Sequence, residues 1–187
     1  MLRPALVLFA LLTALTGFVY PMIVTGIGKL GFPDQSAGSL VFRDHKPIGS
    51  SLIAQSFQDP RYFWGRPSAT SPMPNNGLAS GGSNLGPTNP ALLDAVKARI
   101  AALKAADPDN VLPIPVDLVT ASASGLDPDV SPAAALYQVE RVARARHLDA
   151  KNVRQWVESH IEGPQWGILG EARVNVLMLN LSLDGAR

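Results

Sequence analysis

Apolar positions run without interruption at the start of the chain and become patterned only later. Between Arg3 and Lys29 lie twenty-five residues, Pro4 to Gly28, with no charged side chain. As a helix rising roughly 1.5 Å per residue this run reaches about 37 Å, enough to cross the ~30 Å hydrocarbon layer with some tilt. A helix satisfies its own backbone hydrogen bonds, which lipid requires. Pro21 predicts a bend, Thr13, Thr16 and Thr25 can bond back to carbonyls, and Gly17, Gly26 and Gly28 allow another helix to approach closely. The alternative is a cleaved signal peptide with Leu6 to Leu15 as its apolar region. The run continues about ten residues beyond such a region and closes without an Ala-x-Ala site, so a retained anchor is the reading. Arg3 precedes the span and Lys29 follows it, a thin charge asymmetry. A short stub that stays inside and a long exported domain give the orientation N-in, C-out.

Beyond the anchor the pattern mixes periods. Gly38 to Phe42 reads as a short strand, Lys46 to Gly49 as a turn and Ser50 to Phe57 as a second strand or mixed segment. Arg61 to Pro67 gathers three aromatics and two arginines, either an interfacial belt or a core edge with arginines stacked on rings. Ser68 to Pro90 has almost no periodicity, and loops of that length are functional or disordered. Asn89 as cap and Pro90 in the first turn open a helix to about Ala106, with Leu92, Leu93, Val96, Ile100 and Leu103 on one face. Ile114 to Thr120 reads as a strand and Ala121 to Val130 as a loop. Ser131-Pro132 starts a helix to about His147, and Asp149 caps another to about Ile161. Arg173 to Leu183 reads as a final strand with Leu177, Leu179, Leu181 and Leu183 on one face. The fold class is a single N-terminal transmembrane helix followed by one mixed α/β (α+β) soluble domain. Residues 1–29 form the anchor (helix about 4–28) and residues 30–187 an extracytoplasmic domain.

Composition narrows the function. Sixteen basic against fifteen acidic residues give a net charge of +1, so nothing favours nucleic acid. The absence of cysteine removes thiol catalysis, disulfides and cysteine–metal sites. Sixteen Gly and sixteen Pro cluster with Ser and Asn in particular loops, which points to shaped turns.

Candidate chemistry is sparse. The chain has no Gly-x-Ser-x-Gly elbow, no Ser-x-x-Lys, no His-Glu-x-x-His and no phosphate-loop motif. His45, His147 and His160 are far apart in sequence, and His147 suits a helix C-terminus, where a cation is favoured. No catalytic residue and no metal ligand set is assigned. The loop Ser80, Gly81, Gly82, Ser83, Asn84 and Gly86, ahead of a helix, could offer backbone N–H groups to a phosphate, but it lacks the usual lysine. A compact turn built on positive φ is the alternative. A second loop holds Asp117, Ser122, Ser124 and Asp127. Asp127 could meet a cation, and capping is the commoner use of such carboxylates.

These segments also carry a resemblance. Tyr20-Pro21, Gly38 to Leu40, Tyr62-Phe63 with Arg66 to Ser68, Ser80 to Pro90, Pro115 to Ser122, Gly125 to Pro128 with Ser131-Pro132, and Leu169 to Glu171 with Arg173 to Leu177 stand in one order over nearly the whole chain. Together they resemble the KdpC family, the C subunits of bacterial Kdp potassium-transporting ATPases. Ala123 departs from the glycine or serine expected there, and Ala172 from proline. The resemblance implies a non-catalytic subunit of an inner-membrane complex. Its partners there would be a channel-like potassium-binding subunit, a P-type ATPase subunit and a small single-span subunit. No tightly bound cofactor is implied; ATP belongs to the ATPase subunit, whose affinity for it the family is described as raising. The Ser80 to Gly82 stretch is then the nucleotide or subunit-contact candidate, yet an exported domain lies across the bilayer from cytoplasmic ATP. A stand-alone membrane-tethered periplasmic hydrolase or ligand-binding module is the alternative of another class.

Overall fold

The computed structural model describes residues 2–185. By internal contacts the chain divides into two compact units between Ser50 and Ser51. The first is led by α1 (Leu2–Ala14), a π-helical turn (Leu15–Val19) and α2 (Tyr20–Gly31), a continuous 30-residue helical stretch long and apolar enough to cross a membrane. Pro21 has no N–H to give the carbonyl four residues back. The helix absorbs this by loosening just ahead of it, where the Tyr20 N–H reaches the Leu15 carbonyl in π register. Thr16 Oγ1 donates to the Leu12 carbonyl at 2.7 Å, as its position predicts. A short α3 (Pro33–Ser36) leads into the hairpin of β1 (Leu40–Arg43) and β2 (Lys46–Ser50), antiparallel with a bulge between Val41 and Phe42. The hairpin corrects two expectations. Its turn is Asp44-His45, both at positive φ as a two-residue hairpin loop requires, so Lys46 to Gly49 lie within a strand. Ser51 to Phe57 form no strand, and the Ala54 N–H instead donates to the Leu126 carbonyl at 2.9 Å.

The second unit is α+β. Three short antiparallel strands, β3 (Asp129–Val130), β5 (Arg173–Asn175) and β4 (Ile161–Glu162), pair in that order. Packed with them are α5 (Pro132–Tyr137), α6 (Val139–Arg146), α7 (Ala150–Ser159) and α8 (Val176–Gly185). Val139, Val142, Val153, Val157, Val174 and Leu179 are fully buried at the centre. Burying such side chains stabilises by about 1.5–3 kcal/mol each, before entropy is counted.

The helix starts follow their caps. Asn89 accepts from the Ala91 N–H at the head of α4 (Pro90–Ala106), Ser131 from Ala134, and Asp149 from Lys151. His147 closes α6 in the left-handed conformation at its C-cap. The helix expected from Pro132 to His147 is two, α5 and α6, joined at Gln138.

A further expected strand is absent and the last one is cut short. Between Pro115 and Val119 the chain makes one 3₁₀ turn (Val116–Leu118), because Thr120 bonds back through both its N–H and its hydroxyl to the Val116 carbonyl. The segment from Arg173 is a strand only as far as Asn175. Asn175 Oδ1 then accepts the Met178 N–H at 3.1 Å, the bond of an N-cap, and α8 follows. Val176, Leu177, Leu179, Asn180 and Leu183 are its buried residues, while Leu181 is only partly buried, a helical spacing that the alternating leucines conceal.

One further segment is held from both sides. Phe63, with no exposed surface, and Trp64 run extended through the core. Asn180 accepts the Phe63 N–H at 2.8 Å and donates to its carbonyl at 3.0 Å. Gln138 accepts the Trp64 N–H at 2.8 Å and donates to its carbonyl at 3.0 Å. Two side-chain amides thus replace a neighbouring strand. The aromatics are a core edge with arginines stacked on rings, but the arginines come from α6: Arg141 lies 4.4 Å from the Trp64 ring centre and Arg146 4.7 Å from that of Tyr62. Arg141 is buried and among the described residues faces no carboxylate at contact distance; desolvation pulls its guanidinium down to about 10.

Candidate functional site: a junction of two loops

The two loops singled out by their composition meet in space. The Gly81 N–H and the Ser80 hydroxyl both donate to the Ser124 carbonyl, at 2.9 and 3.0 Å. Their approach demands glycine. A Cβ on Gly82 would stand 2.8 Å from the Ala123 carbonyl oxygen. Gly125, at φ +69°, leaves room for a Cβ only 2.5 Å from Thr70 and 2.8 Å from the Gly81 carbonyl oxygen.

Within the second loop Ser122 is buried. Its hydroxyl accepts the Gly125 N–H at 3.1 Å, while the Ser124 hydroxyl accepts that of Leu126 at 3.1 Å. A third segment, absent from the sequence-based candidates, locks the junction. Ser68 Oγ donates to the Gly125 carbonyl at 2.7 Å and accepts the Asn75 N–H at 2.9 Å. Thr70 Oγ1 accepts the N–H of Asn76, whose buried amide bridges to the Ser71 carbonyl. The long aperiodic loop after Ser68 is therefore ordered by its own Ser, Thr and Asn side chains.

The remaining candidates divide. Asp127 pairs with Arg66 at 2.9 Å and accepts the Asp129 N–H at 3.1 Å, so it holds the loop's exit. Asp117 lies away from this contact and accepts the Ser131 N–H at 2.7 Å at the head of α5. Ser83, Asn84 and Gly86 continue outward as exposed chain toward α4. Gly17 and Gly26 have nothing within 4 Å of where a Cβ would stand, and Gly28 meets only Ser36 at 3.9 Å. Pro21 lies in the same exposed helix. Among the described residues no three of His, Cys, Asp or Glu gather to hold a metal ion.

Beside the junction a cleft of about 290 Å³ opens between Gln55 to Gln58, Trp64 to Arg66 and the residues Arg99, Ala102 and Leu103 of α4. Leu103 is the buried residue of that helix because it joins the core, while Leu93, expected on the same face, stays half exposed. Arg66 Nε is buried with no protein partner, which gives the cleft wall one unspent donor. Arg66, Ser68, Thr70, Asn75 and Asn76 carry no sequence periodicity; their signal was the density of Ser, Thr and Asn after Arg66, opposite a loop holding Asp127. Apart from Arg66 Nε, the junction's named polar groups are engaged within the chain and its ion pair is neutralised, an architecture that fixes loop shape.

The family model described as K+-transporting ATPase, c chain, matches residues 2–185. The chain belongs to the KdpC family. Similar proteins share its length as well as its sequence. The potassium-transporting ATPase KdpC subunit of Dechloromonas aromatica (strain RCB) is 66% identical over 184 residues, covering 98% of this chain and 96% of its own. That of Polaromonas naphthalenivorans (strain CJ2) is 67% identical over 186 residues, covering 100% and 95%. That of Sorangium cellulosum (strain So ce56) is 64% identical over 186 residues, covering 100% and 98%. For a KdpC family member the aperiodic loops are thus part of an ordered domain, and the resemblance carried by their residues extends over the whole chain.

Proposed function

We propose that this chain is a non-catalytic subunit of an ATP-driven potassium-uptake complex. One helix holds it in the bacterial inner membrane with its N-terminus cytoplasmic and its domain periplasmic. Its partners are the lipid bilayer, the channel-like potassium-binding subunit, the P-type ATPase subunit and the small single-span subunit. The supporting observation is the pairing of a 30-residue apolar helix that buries nothing within its own chain with a domain whose loop junction spends its polar groups on itself. The helix faces have room for neighbours, and the junction builds a shaped surface rather than a reacting centre. The domain shapes the outer entrance of the channel-like subunit. An increase in the ATP affinity of the ATPase subunit then acts across the bilayer as a coupling between distant sites, since Gly81 and Ser80 are engaged with Ser124.

The cleft beside Arg66 is what favours the second reading, a stand-alone ligand-binding module. Purification separates the two: a subunit leaves the membrane with larger membrane proteins, a lone module leaves alone. Topology is tested through Ser83, which is exposed. The chain has no cysteine, so Ser83→Cys gives a unique thiol. Labelling by a membrane-impermeant maleimide in intact spheroplasts is the expected result. Protection until permeabilisation, repeated at a second exposed site, would place the domain in the cytoplasm and return the Ser80 to Gly82 loop to nucleotide contact.

A further inference from the structure

The connection from β4 to β5 ends in a tight apolar tip that no function above uses. Gln165 and Leu169 exchange both backbone hydrogen bonds, at 2.8 and 3.0 Å, and the Gly167 N–H donates to the Pro164 carbonyl at 2.9 Å. To close the turn Trp166 takes φ +55° and Gly167 φ +78°. A tryptophan in the left-handed region is strained, so this conformation is imposed by the turn. It turns the largest apolar side chain of the loop outward: Trp166 is 82% and Ile168 80% exposed, with Leu169 half exposed beside them. Among the described residues the indole N–H has no hydrogen-bond partner. Singly exposed apolar residues are ordinary on a surface, whereas three on one rigid turn form a patch.

We propose that this turn is a docking knob that seats Trp166 and Ile168 in an apolar socket on another protein subunit of the membrane complex. The socket carries a hydrogen-bond acceptor for the indole N–H. This rests on the subunit reading above. An aromatic anchor on a preorganised turn is the composition of an interface hot spot, because little conformational freedom remains to be lost on docking. A protein rather than a lipid surface is the occupant because the charge left beside the tip is the carboxylate of Glu171, two residues past Leu169. The neighbouring cation, Arg173, is already paired with Glu162 at 3.0 Å and Asp129 at 3.2 Å. Anionic headgroups attract apolar tips ringed by free basic residues, and this tip has the opposite surround.

The test uses full-length chain carrying Ile168→Cys as its sole thiol. Maleimide alkylation is timed in the complex purified from membranes through a tag on this chain, and again in the chain alone in detergent. The expected result is alkylation slowed at least about tenfold in the complex, with a benzophenone maleimide at that thiol crosslinking to a co-purifying membrane subunit. Equal rates in an intact complex overturn the knob and leave the subunit reading standing; a chain that leaves the membrane without other subunits overturns both. Slow alkylation of the chain alone in phosphatidylethanolamine–phosphatidylglycerol vesicles would assign the tip to lipid and overturn the proposal. A Trp166→Ala complex should dissociate at least about tenfold faster, with Trp166→Phe between, while the unfolding midpoint of the domain is unchanged.

Discussion

At the scale of single residues, the domain depends on two carboxamides. Asn180 and Gln138 together satisfy both backbone groups of Phe63 and Trp64, in a place where no strand is available to do so. Replacing Asn180 by leucine keeps the branching and heavy-atom count of the side chain and removes the bonds, leaving a buried N–H and C=O unpaired. The expected loss is about 2–4 kcal/mol, read from urea unfolding; a change below 1 kcal/mol would mean that water takes over both bonds. Asp129 gives a second test, in pH. Burial raises its carboxyl above the ordinary 3.8, against the pull of Arg173 and the bond from Asn175. Below 3.8 the group is protonated in both states; above its folded value it is ionised in both, and only the native state carries the desolvation penalty. Stability from this group therefore falls as pH rises between those two values. Asp129→Asn should remove that fall, so the mutant-minus-parent stability should rise with pH across the window and level off above it. A flat difference would show that Arg173 cancels the burial.

Elements show where local sequence and packing disagree. The last segment alternates leucines as a strand would, yet Asn175 caps it and its buried residues follow helical spacing, so the cap and the core together decide for α8. Propensity alone is weak there, because leucine suits a helix at least as well as a strand. The loops behave differently, since their shape is carried by glycines that local physics identifies. Gly125 combines φ +69° with a Cβ position 2.8 Å from the Gly81 carbonyl oxygen. Gly125→Ala should cost about 2–4 kcal/mol, from left-handed strain added to a backbone contact that cannot yield. Thermal unfolding checks it, and the Ser80–Ser124 contact should become readily exchangeable by amide hydrogen exchange at Gly81. An alanine that leaves the midpoint in place would mean that the two loops separate at no cost.

For the whole molecule, the division between Ser50 and Ser51 separates an exposed apolar helix and hairpin from a unit with its own core. The fragment 51–187 should therefore be soluble and unfold cooperatively without the anchor, as a single urea transition seen alike by fluorescence and circular dichroism. Aggregation or a non-coincident transition would show that the core needs residues before Ser51. What the sequence by itself determined is what depends on neighbours in the chain: the apolar span, the caps at Asn89, Ser131 and Asp149, the helix end at His147, and the family resemblance carried by the loop residues. What only the tertiary structure decided depends on residues far apart. Asn180 reaching Phe63 across 117 positions, Arg66 reaching Asp127 across 61 and Ser80 reaching Ser124 across 44 leave no periodic trace. The physical reason is that a hydrogen bond or ion pair constrains geometry at its two ends and nothing between them, whereas caps, turns and helical faces write their constraints into consecutive residues.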